Sequence, residues 1–133
     1  MAWRYLDLAD FLLIAEAVLD IPAEDLARAG RLELAESALH APAAEFGGVE
    51  FYPDLARKTA VLASRLIGNH PLPDGNKRVG YLCAIEFVAR NGGTWTHPAD
   101  DPDGDETVAV IEGVAAGAVD EDEFTAWIVQ RLE

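Results

Sequence analysis

Hydrophobic residues recur every three or four positions along almost the whole of this 133-residue chain, and this spacing is typical of α-helices with a buried face. Proline and glycine residues between the repeats indicate where helices begin and end. The predicted helices cover roughly residues 6–19, 22–30, 31–41, 53–67, 76–90, 105–117 and 121–132. We therefore expect an all-α fold, a helical bundle of about six to seven helices that forms a single domain over residues 1–133.

The helix expected over about residues 76–90 is apolar nearly all round, which is typical of a helix buried in the centre of a fold. The last helix has Asp120 as its expected N-cap, with Glu123 three residues later. Residues 45–52 do not fit the helical pattern, because paired glycines stand there between aromatic and β-branched residues. This composition favours a short β-hairpin or an ordered loop.

The chain carries 24 acidic and ten basic side chains, a formal net charge of −14. This charge disfavours contact with nucleic acids and with anionic membranes. No apolar run approaches the ~20 residues needed to span a bilayer, and acidic residues replace the basic start of a signal peptide. The single cysteine, Cys83, fits a reducing compartment. We expect a cytoplasmic protein with no direct nucleic-acid or membrane partner.

Two further charged segments are interpreted as ordinary surface. Arg57 and Lys58 are expected to form surface ion pairs rather than a binding patch. Residues 98–105 are acidic and rich in turn-forming residues, which predicts a surface loop.

Residues 70–78 read His-Pro-Leu-Pro-Asp-Gly-Asn-Lys-Arg and carry the clearest chemical signal. Lys77 and Arg78 fall in the first turn of the apolar helix, where the helix dipole disfavours cations by up to ~1 kcal/mol each. Two of only ten basic residues at such a position indicate a bound anion. Free N–H groups of the helix and both side chains would hold it.

The rest of this segment suits phosphoryl or nucleotidyl transfer. Gly75 allows a positive φ or a close approach of the backbone to a phosphate, and Asn76 can cap the helix or donate to the phosphate. Asp74 offers a hard oxygen ligand for Mg²⁺, and His70 is the natural general base. The simpler interpretation is a solvated turn between helices, but the ordered combination favours an enzyme acting on a nucleotide.

The segment resembles the signature of the Fic/Doc family, H-x-F-x-D-G-N-[GK]-R, and more closely its Doc branch, the "death on curing" toxins of bacterial toxin–antitoxin pairs. Residues 46–48 before Tyr52 and Pro53 resemble the family's flap, and the helix end at Asn91 and Gly92 is also similar. We expect the similarity to cover about residues 5–132. Leu72 replaces the usual Phe, and we expect it still to pack the loop on the core.

The resemblance implies a role for each motif position. His70 would deprotonate the hydroxyl of the target, and Asp74 would organise Mg²⁺. Gly75 and Asn76 would line an anion hole, while Lys77 and Arg78 would hold the phosphates of ATP. The flap would pair with extended backbone of the target by strand addition. Its residues are Phe46, Gly47, Gly48, Val49, Glu50 and Phe51.

Two positions favour the Doc branch. Lys77 stands where adenylylating members of the family have Gly, and Tyr81 stands where they have a second Arg. The resemblance then implies a protein kinase that transfers the γ-phosphate of ATP to a Thr/Ser hydroxyl of a translation factor, elongation factor Tu, and so blocks translation. Transfer of AMP by a Fic-like adenylyltransferase is the alternative. A non-catalytic regulator that binds nucleotide or antitoxin is the second alternative.

Some relatives carry an inhibitory helix with the motif [ST]-x-x-x-E-[GN]. No Ser or Thr of this chain has Glu four residues later. The resemblance therefore implies inhibition in trans by a separate, Phd-like antitoxin, whose C-terminal segment would fold into the groove beside the motif. The identity of the target and of the antitoxin and the oligomeric state stay open.

Overall fold

The structure, a computed structural model, describes residues 2–97, 99 and 101–133. In this part of the chain it has seven α-helices: α1 Leu8–Leu19, α2 Ala23–Ala29, α3 Leu32–His40, α4 Leu55–Asn69, α5 Asn76–Arg90, α6 Asp105–Ala116 and α7 Glu121–Val129. A 3-10 turn, Ala41–Ala43, and two strands, β1 Glu45–Phe46 and β2 Val49–Glu50, lie between α3 and α4. The predicted all-α fold with a short hairpin is confirmed.

Reciprocal caps fix the starts of the first and last helices. The Asp7 carboxylate accepts from the Asp10 N–H at 2.8 Å, and the Asp10 carboxylate accepts from the Asp7 N–H at 3.0 Å. Asp120 and Glu123 form the same arrangement at α7, as the sequence predicts. The start of α1 is later than expected, because Asp7 caps it and leaves Leu6 in extended chain.

The central helix is α4 and not α5, so that prediction is wrong. Helix α4 contacts α3, α5, α6 and α7, and nine of its fifteen residues are buried. Helix α5 packs on α1, α4 and α6 but keeps an outer face, on which Leu82 is 38% exposed. An apolar side chain on a helix can remain at the surface, so composition alone overstated how deeply α5 lies.

The buried side chains form two clusters on different faces of α4. In the first, α1, α2 and α3 pack on Leu62 and Leu66. In the second, α6 and α7 pack on Ala60 and Ile67. A Cβ added to Gly80 of α5 would lie 2.7 Å from Ile67 Cγ1, so the two helices that flank the motif approach closely here. None of the described helices combines the length and the apolar character needed to cross a membrane.

The two basic residues at the start of α4 differ in environment. Arg57 forms the expected ion pair, with its Nη2 at 2.5 Å from Oδ1 of Asp122. Lys58, in contrast, is fully buried, which corrects the expectation of a surface ion pair. Sequence spacing placed Lys58 on α4 but could not show that the N-terminal segment covers it.

The acidic connection before α6 is only partly a solvated loop. Asp101 is 8% exposed, and its carboxylate accepts from the N–H groups of Glu106 and Thr107 at 3.0 and 3.2 Å. These two N–H groups lie in the first turn of α6, so Asp101 caps that helix from outside it. The expectation of a surface loop is therefore wrong for Asp101. Pro98 and Asp100 lie outside the described residues.

Candidate active site

The loop of residues 70–75 joins α4 to α5, and left-handed backbone occurs at both of its ends. His70 follows α4 with φ of +51°, and Gly75 precedes α5 with φ of +78°. Such a φ is uncommon for residues other than glycine, although histidine is enriched there. A Cβ on Gly75 would also overlap the side chain of Leu19. Glycine is therefore required at position 75 both for conformation and for space.

The buried side chain of Asn76 holds this loop together. Its Oδ1 accepts from the Leu72 N–H at 2.9 Å, and its Nδ2 donates to the Leu72 carbonyl at 2.9 Å. Both bonds together fix which end of the carboxamide is nitrogen. The Asn76 side chain is thus committed to the loop, and its backbone N–H is the group that remains for an anion.

Asn76 also determines how the imidazole of His70 is presented. Nδ2 of Asn76 lies 3.2 Å from Nδ1 of His70. Because Nδ2 is a donor, Nδ1 accepts, and a neutral imidazole in this orientation carries its proton on Nε2. The His70 side chain is exposed at the end of α4, where a target hydroxyl could approach.

The underside of the loop is fixed to the core. Leu72 is 4% exposed and belongs to the first core cluster, so the anchoring role expected for it in place of Phe is confirmed. The Arg31 N–H donates to the Pro71 carbonyl at 2.8 Å. Asn69 Nδ2 donates to the Leu34 carbonyl at 3.1 Å. The α2–α3 connection and the first turn of α3 therefore hold the motif loop and the end of α4 in place.

Lys77 and Arg78 are exposed on the first turn of α5, as predicted. Neither forms an ion pair among the described residues, although acidic side chains outnumber basic ones 24 to ten. The N-cap of α5 is Gly75, and no side chain of residues 2–97, 99 and 101–133 accepts from the first N–H groups of this helix. The start of this 15-residue helix therefore presents its first N–H groups and the side chains of Lys77 and Arg78 together. Such an arrangement binds anions.

A cavity of about 400 Å³, here called the motif cavity, lies in front of this helix end. It is lined by the predicted site residues His70, Asp74, Gly75, Asn76, Lys77 and Arg78, together with Pro73 and Ala115. The structure therefore brings the six motif positions to one cavity. The flap residues do not line it.

The donor set of the motif cavity suits Mg²⁺ that arrives with phosphates. Asp74 is exposed at the cavity and is the one carboxylate among its described lining residues. The described residues contain no cluster of three side chains able to hold a metal ion. Mg²⁺ commonly binds one or two carboxylates plus substrate phosphates, with water completing its octahedron. Asp74 fits this role.

The flap forms the predicted hairpin, in which Glu45 pairs with Glu50 and Phe46 with Val49 in antiparallel register. Large apolar side chains on it face solvent: Phe46 is 81% exposed, Val49 68% and Phe51 58%. A two-residue strand with free edges and exposed apolar side chains could accept an extended peptide by strand addition. Pairing with a target remains a prediction.

Lys58 fastens the flap to the body of the protein. Its Nζ donates to Glu50 Oε1 of β2 at 2.9 Å, to the Tyr5 hydroxyl at 2.9 Å and to the Pro42 carbonyl at 2.8 Å. Burial lowers the pKa of Lys58, but the bonds to Tyr5 and Glu50 outweigh this and raise it above its ordinary value. This anchor could not be predicted from the sequence, because the partners of Lys58 come from three separate segments.

A second cavity, which the sequence did not predict, adjoins the first. It has a volume of about 380 Å³ and lies between α5 and α6; we call it the α5–α6 cavity. Lys77 and Arg78 line both cavities. Its further walls come from Tyr81 of α5 and from Thr107, Val108 and Ile111 of α6. In the sequence, α6 shows only the apolar spacing of an ordinary packed helix.

Comparison with known proteins agrees with this geometry. A family model described as "Fic/DOC family" matches residues 5–88, which is more than half of the chain. The chain is also 37% identical over 93 residues to the protein named Toxin Doc of Mycolicibacterium smegmatis, a match covering 70% of this chain and 69% of that protein. The family match includes the flap and the motif and ends within α5. The similarity expected as far as residue 132 is thus confirmed by the family model only to residue 88.

Proposed function

The chain belongs to the Fic/Doc family, and from this premise we propose that it is a Doc-like toxin with protein kinase activity. It transfers the γ-phosphate of ATP to a Thr/Ser hydroxyl of a translation factor. Elongation factor Tu is the proposed target, and its modification blocks translation. ATP and Mg²⁺ are the proposed cofactors.

The observation that carries this proposal is the placement of positive charge along α5. Lys77 and Arg78 are free cations at the helix start, whereas one turn later Tyr81 stands where adenylylating members have Arg. Burial raises the pKa of the Tyr81 phenol, so this side chain stays neutral at physiological pH. The remaining basic residue of α5, Arg90, lies in the last turn and pairs with Asp10 and Glu86. The cations of α5 that line the motif cavity are therefore those of its first turn, which favours the Doc type of transfer.

Each motif residue has a defined task in this reaction. The N–H groups at the start of α5, with Lys77 and Arg78, bind the phosphates and neutralise their charge. Asp74 would hold Mg²⁺, which would supply further positive charge to the phosphates. The imidazole of His70 takes the proton of the target hydroxyl after the docked target turns the ring and frees Nδ1 from Asn76. The hydroxyl oxygen bonds to the γ-phosphorus as the bond between that phosphorus and ADP breaks.

Transfer from labelled ATP tests the reaction. The purified protein is incubated with elongation factor Tu, MgCl₂ and ATP labelled at either the γ- or the α-phosphate. We expect labelled target from γ-labelled ATP alone, and no transfer when the metal is chelated. Label from the α-phosphate only would contradict the kinase and favour AMP transfer.

His70→Asn is the matched control, because asparagine also tolerates the left-handed conformation of position 70 but offers no base. The variant should keep its thermal unfolding midpoint and lose transfer. Expression of the wild type should arrest bacterial growth, and His70→Asn should not. Growth arrest that persists in the variant would favour the non-catalytic regulator.

We further propose that a Phd-like antitoxin neutralises the protein in trans. Its C-terminal segment would cover the groove beside residues 70–78, where His70 and Lys77 are exposed. Hydrogen exchange on the complex with a Phd-like antitoxin, to be sought as the product of a short reading frame next to this one, tests this placement. We expect slower exchange at residues 70–78, and unchanged exchange there would place the antitoxin elsewhere.

A further inference from the structure

The segment of residues 19–31, here called the platform, contacts both ends of the motif loop. It contains the last residue of α1, the whole of α2 and the connection to α3. Where the loop meets α5, a Cβ added to Gly75 would lie 2.4 Å from Cδ2 of Leu19. Where the loop leaves α4, the Arg31 N–H donates to the Pro71 carbonyl at 2.8 Å. One short stretch of chain therefore bears on both ends of the loop.

Leu19 supports the end of the loop at which phosphates are expected. Its side chain packs on the first core cluster, and it is not among the described residues that line the motif cavity. It fills the space beside Gly75, the residue that precedes the first N–H groups of α5. Those groups need fixed positions to hold a phosphate, because hydrogen bonds weaken steeply when their geometry is poor. Leu19 can therefore affect a bound phosphate only through the backbone.

Hydrogen bonds at the corner between α1 and α2 hold Leu19 in place. Asp20, which follows it, has left-handed backbone with φ of +56°, and its N–H donates to the Glu16 carbonyl at 2.9 Å. The carboxylate of Glu16 accepts from the Ala23 N–H, at the start of α2, at 2.7 Å. The end of α1 is thus tied to α2, so the Leu19 side chain meets the loop from a fixed corner.

Gly30 sets the distance between the platform and the other end of the loop. A Cβ at this position would lie 2.9 Å from the Leu26 carbonyl oxygen and 3.0 Å from that of Pro71. The φ of Gly30 is −84°, which any residue can adopt, so glycine is needed here for space alone. Pro71 directly follows His70 in the chain. The close approach at Gly30 therefore bears on the position of the candidate base.

We propose that the platform is a positioning element of the active site with a separate role at each end of the loop. Leu19 positions the phosphate-binding backbone at Gly75, and Gly30 positions the loop beside His70. This inference rests on the proposed function, since it assigns phosphates to the start of α5 and the base to His70. Loss of the Leu19 side chain should weaken phosphate binding, whereas crowding at Gly30 should slow the transfer.

Calorimetric titration with inorganic tripolyphosphate, well below the unfolding midpoint, tests the role of Leu19 without a transfer reaction. In Leu19→Ala the affinity should fall roughly three- to tenfold, because the first N–H groups of α5 lose their support. Leu12→Ala is the matched control, since it removes the same atoms from the same face of α1, about two turns from the loop. Its affinity should stay within about twofold of the wild type. Leu19→Met, which refills the space, should restore binding.

Hydrogen exchange of the free proteins gives a second readout at the same end of the loop. The Val79 N–H donates to the Gly75 carbonyl at 3.0 Å and reports on this contact. Its exchange should accelerate in Leu19→Ala and not in Leu12→Ala. Equal effects of the two substitutions on exchange or on affinity would show that Leu19 acts only through the stability of the fold, and would overturn its positioning role.

Transfer kinetics test the role of Gly30. Gly30→Ala should lower kcat roughly tenfold, because it displaces the loop beside His70, and should leave the affinity for tripolyphosphate within about twofold. Gly68→Ala is the matched control, since its added methyl on α4 meets no neighbouring side chain within 4 Å in the described part of the chain. It should keep the kcat of the wild type. A parallel loss of kcat and affinity in Gly30→Ala would overturn the separate roles.

Failure of this inference can be distinguished from failure of the proposed function. A wild type that binds no tripolyphosphate would contradict the phosphate site itself, and with it the role of Leu19. A wild type that binds tripolyphosphate but transfers no label to elongation factor Tu would contradict the kinase reaction. In that case the comparison of Leu19→Ala with Leu12→Ala still decides whether the platform positions the phosphate site.

Discussion

At the scale of single residues, a few side chains fix the geometry of the motif loop. Asn76 satisfies both backbone groups of Leu72 with one carboxamide and contacts the His70 ring with the same nitrogen. Leu72 holds the loop to the core from the other side. The position of the candidate base therefore depends on two residues that need not touch a substrate.

We expect Asn76→Ala to lower the free energy of unfolding by about 2–3 kcal/mol, because it leaves the buried N–H and C=O of Leu72 unpaired. Phosphoryl transfer should fall as well, because the loop that carries His70 and Asp74 loses its bonds to the Asn76 carboxamide. Urea denaturation and the labelling assay measure the two effects. A variant as stable as the wild type would show that water replaces the carboxamide.

Lys77→Ala should raise the stability of the protein and abolish its transfer activity. Removing a cation from the first turn of α5 relieves an unfavourable dipole interaction, so stability should rise by ~0.3–1 kcal/mol at low salt. Transfer should be lost, because one phosphate ligand is absent. Thermal unfolding at low and high salt, with the labelling assay, tests this. A clear loss of stability would mean that Lys77 has a structural partner.

The motif chemistry could be predicted from the sequence because it is local: nine consecutive residues contain the base, the carboxylate, the glycine and both cations. The role of the Asn76 side chain could not be predicted, because amide groups serve equally as helix caps, as donors to phosphate or as hydrogen-bond partners of loop backbone. The burial of Lys58 could not be predicted from the sequence either. It depends on Tyr5 and Pro42, which are distant in sequence.

At the scale of secondary-structure elements, α4 holds the short flap in position. A hairpin with strands of two residues is not stable alone. The Lys58–Glu50 ion pair joins it to α4, in which nine of fifteen residues are buried. The hairpin itself was predictable from its paired glycines. The central place of α4 was not, since apolar composition favoured α5, and only packing shows which helix has neighbours on most sides.

Lys58→Met should destabilise the protein by about 2–3 kcal/mol, because the half-buried Tyr5 hydroxyl and the buried Pro42 carbonyl lose their donor. Exchange of the flap amides should accelerate. The KM for the target protein should rise more than the KM for ATP, since the flap and not the motif cavity is released. Arg57→Met, at a surface pair, is the control and should cost at most ~1 kcal/mol.

The environment of Lys58 predicts how the stability of the protein depends on pH. The raised pKa of Lys58 means that its stabilisation is fully present below the ordinary lysine pKa and is lost as pH rises through the raised value. The stability difference between the wild type and Lys58→Met should therefore shrink only in alkaline solution. Denaturation midpoints measured from neutral to alkaline pH test this. A difference that shrinks near neutrality would contradict the assigned partners.

At the scale of the whole molecule, α4 and α5 contribute to both core clusters and so join the two parts of the protein. The family match covers only the first part and most of α5, yet α7 packs on α4 about as extensively as α3 does, and α6 contacts both α4 and α5. The sequence predicted one domain from length, and this remains a prediction. The α5–α6 cavity could not be predicted, because it arises only where the two parts meet.

Shared helices should make unfolding a single cooperative transition. Circular dichroism reports all helices, whereas fluorescence reports mainly Trp95 and Trp127 in the second cluster. We expect the two signals to change at the same urea concentration. An earlier fluorescence transition would show that α6 and α7 unfold independently and would contradict the single domain.

The contact between Asn76 and His70 bears on what the protein does without its target. In this orientation the lone pair of the neutral imidazole lies at Nδ1, where it accepts from Asn76. Water beside a bound nucleotide would then have no base to activate it. If the proposed kinase reaction holds, we expect the consumption of ATP without target to be slow until a docked target turns the ring.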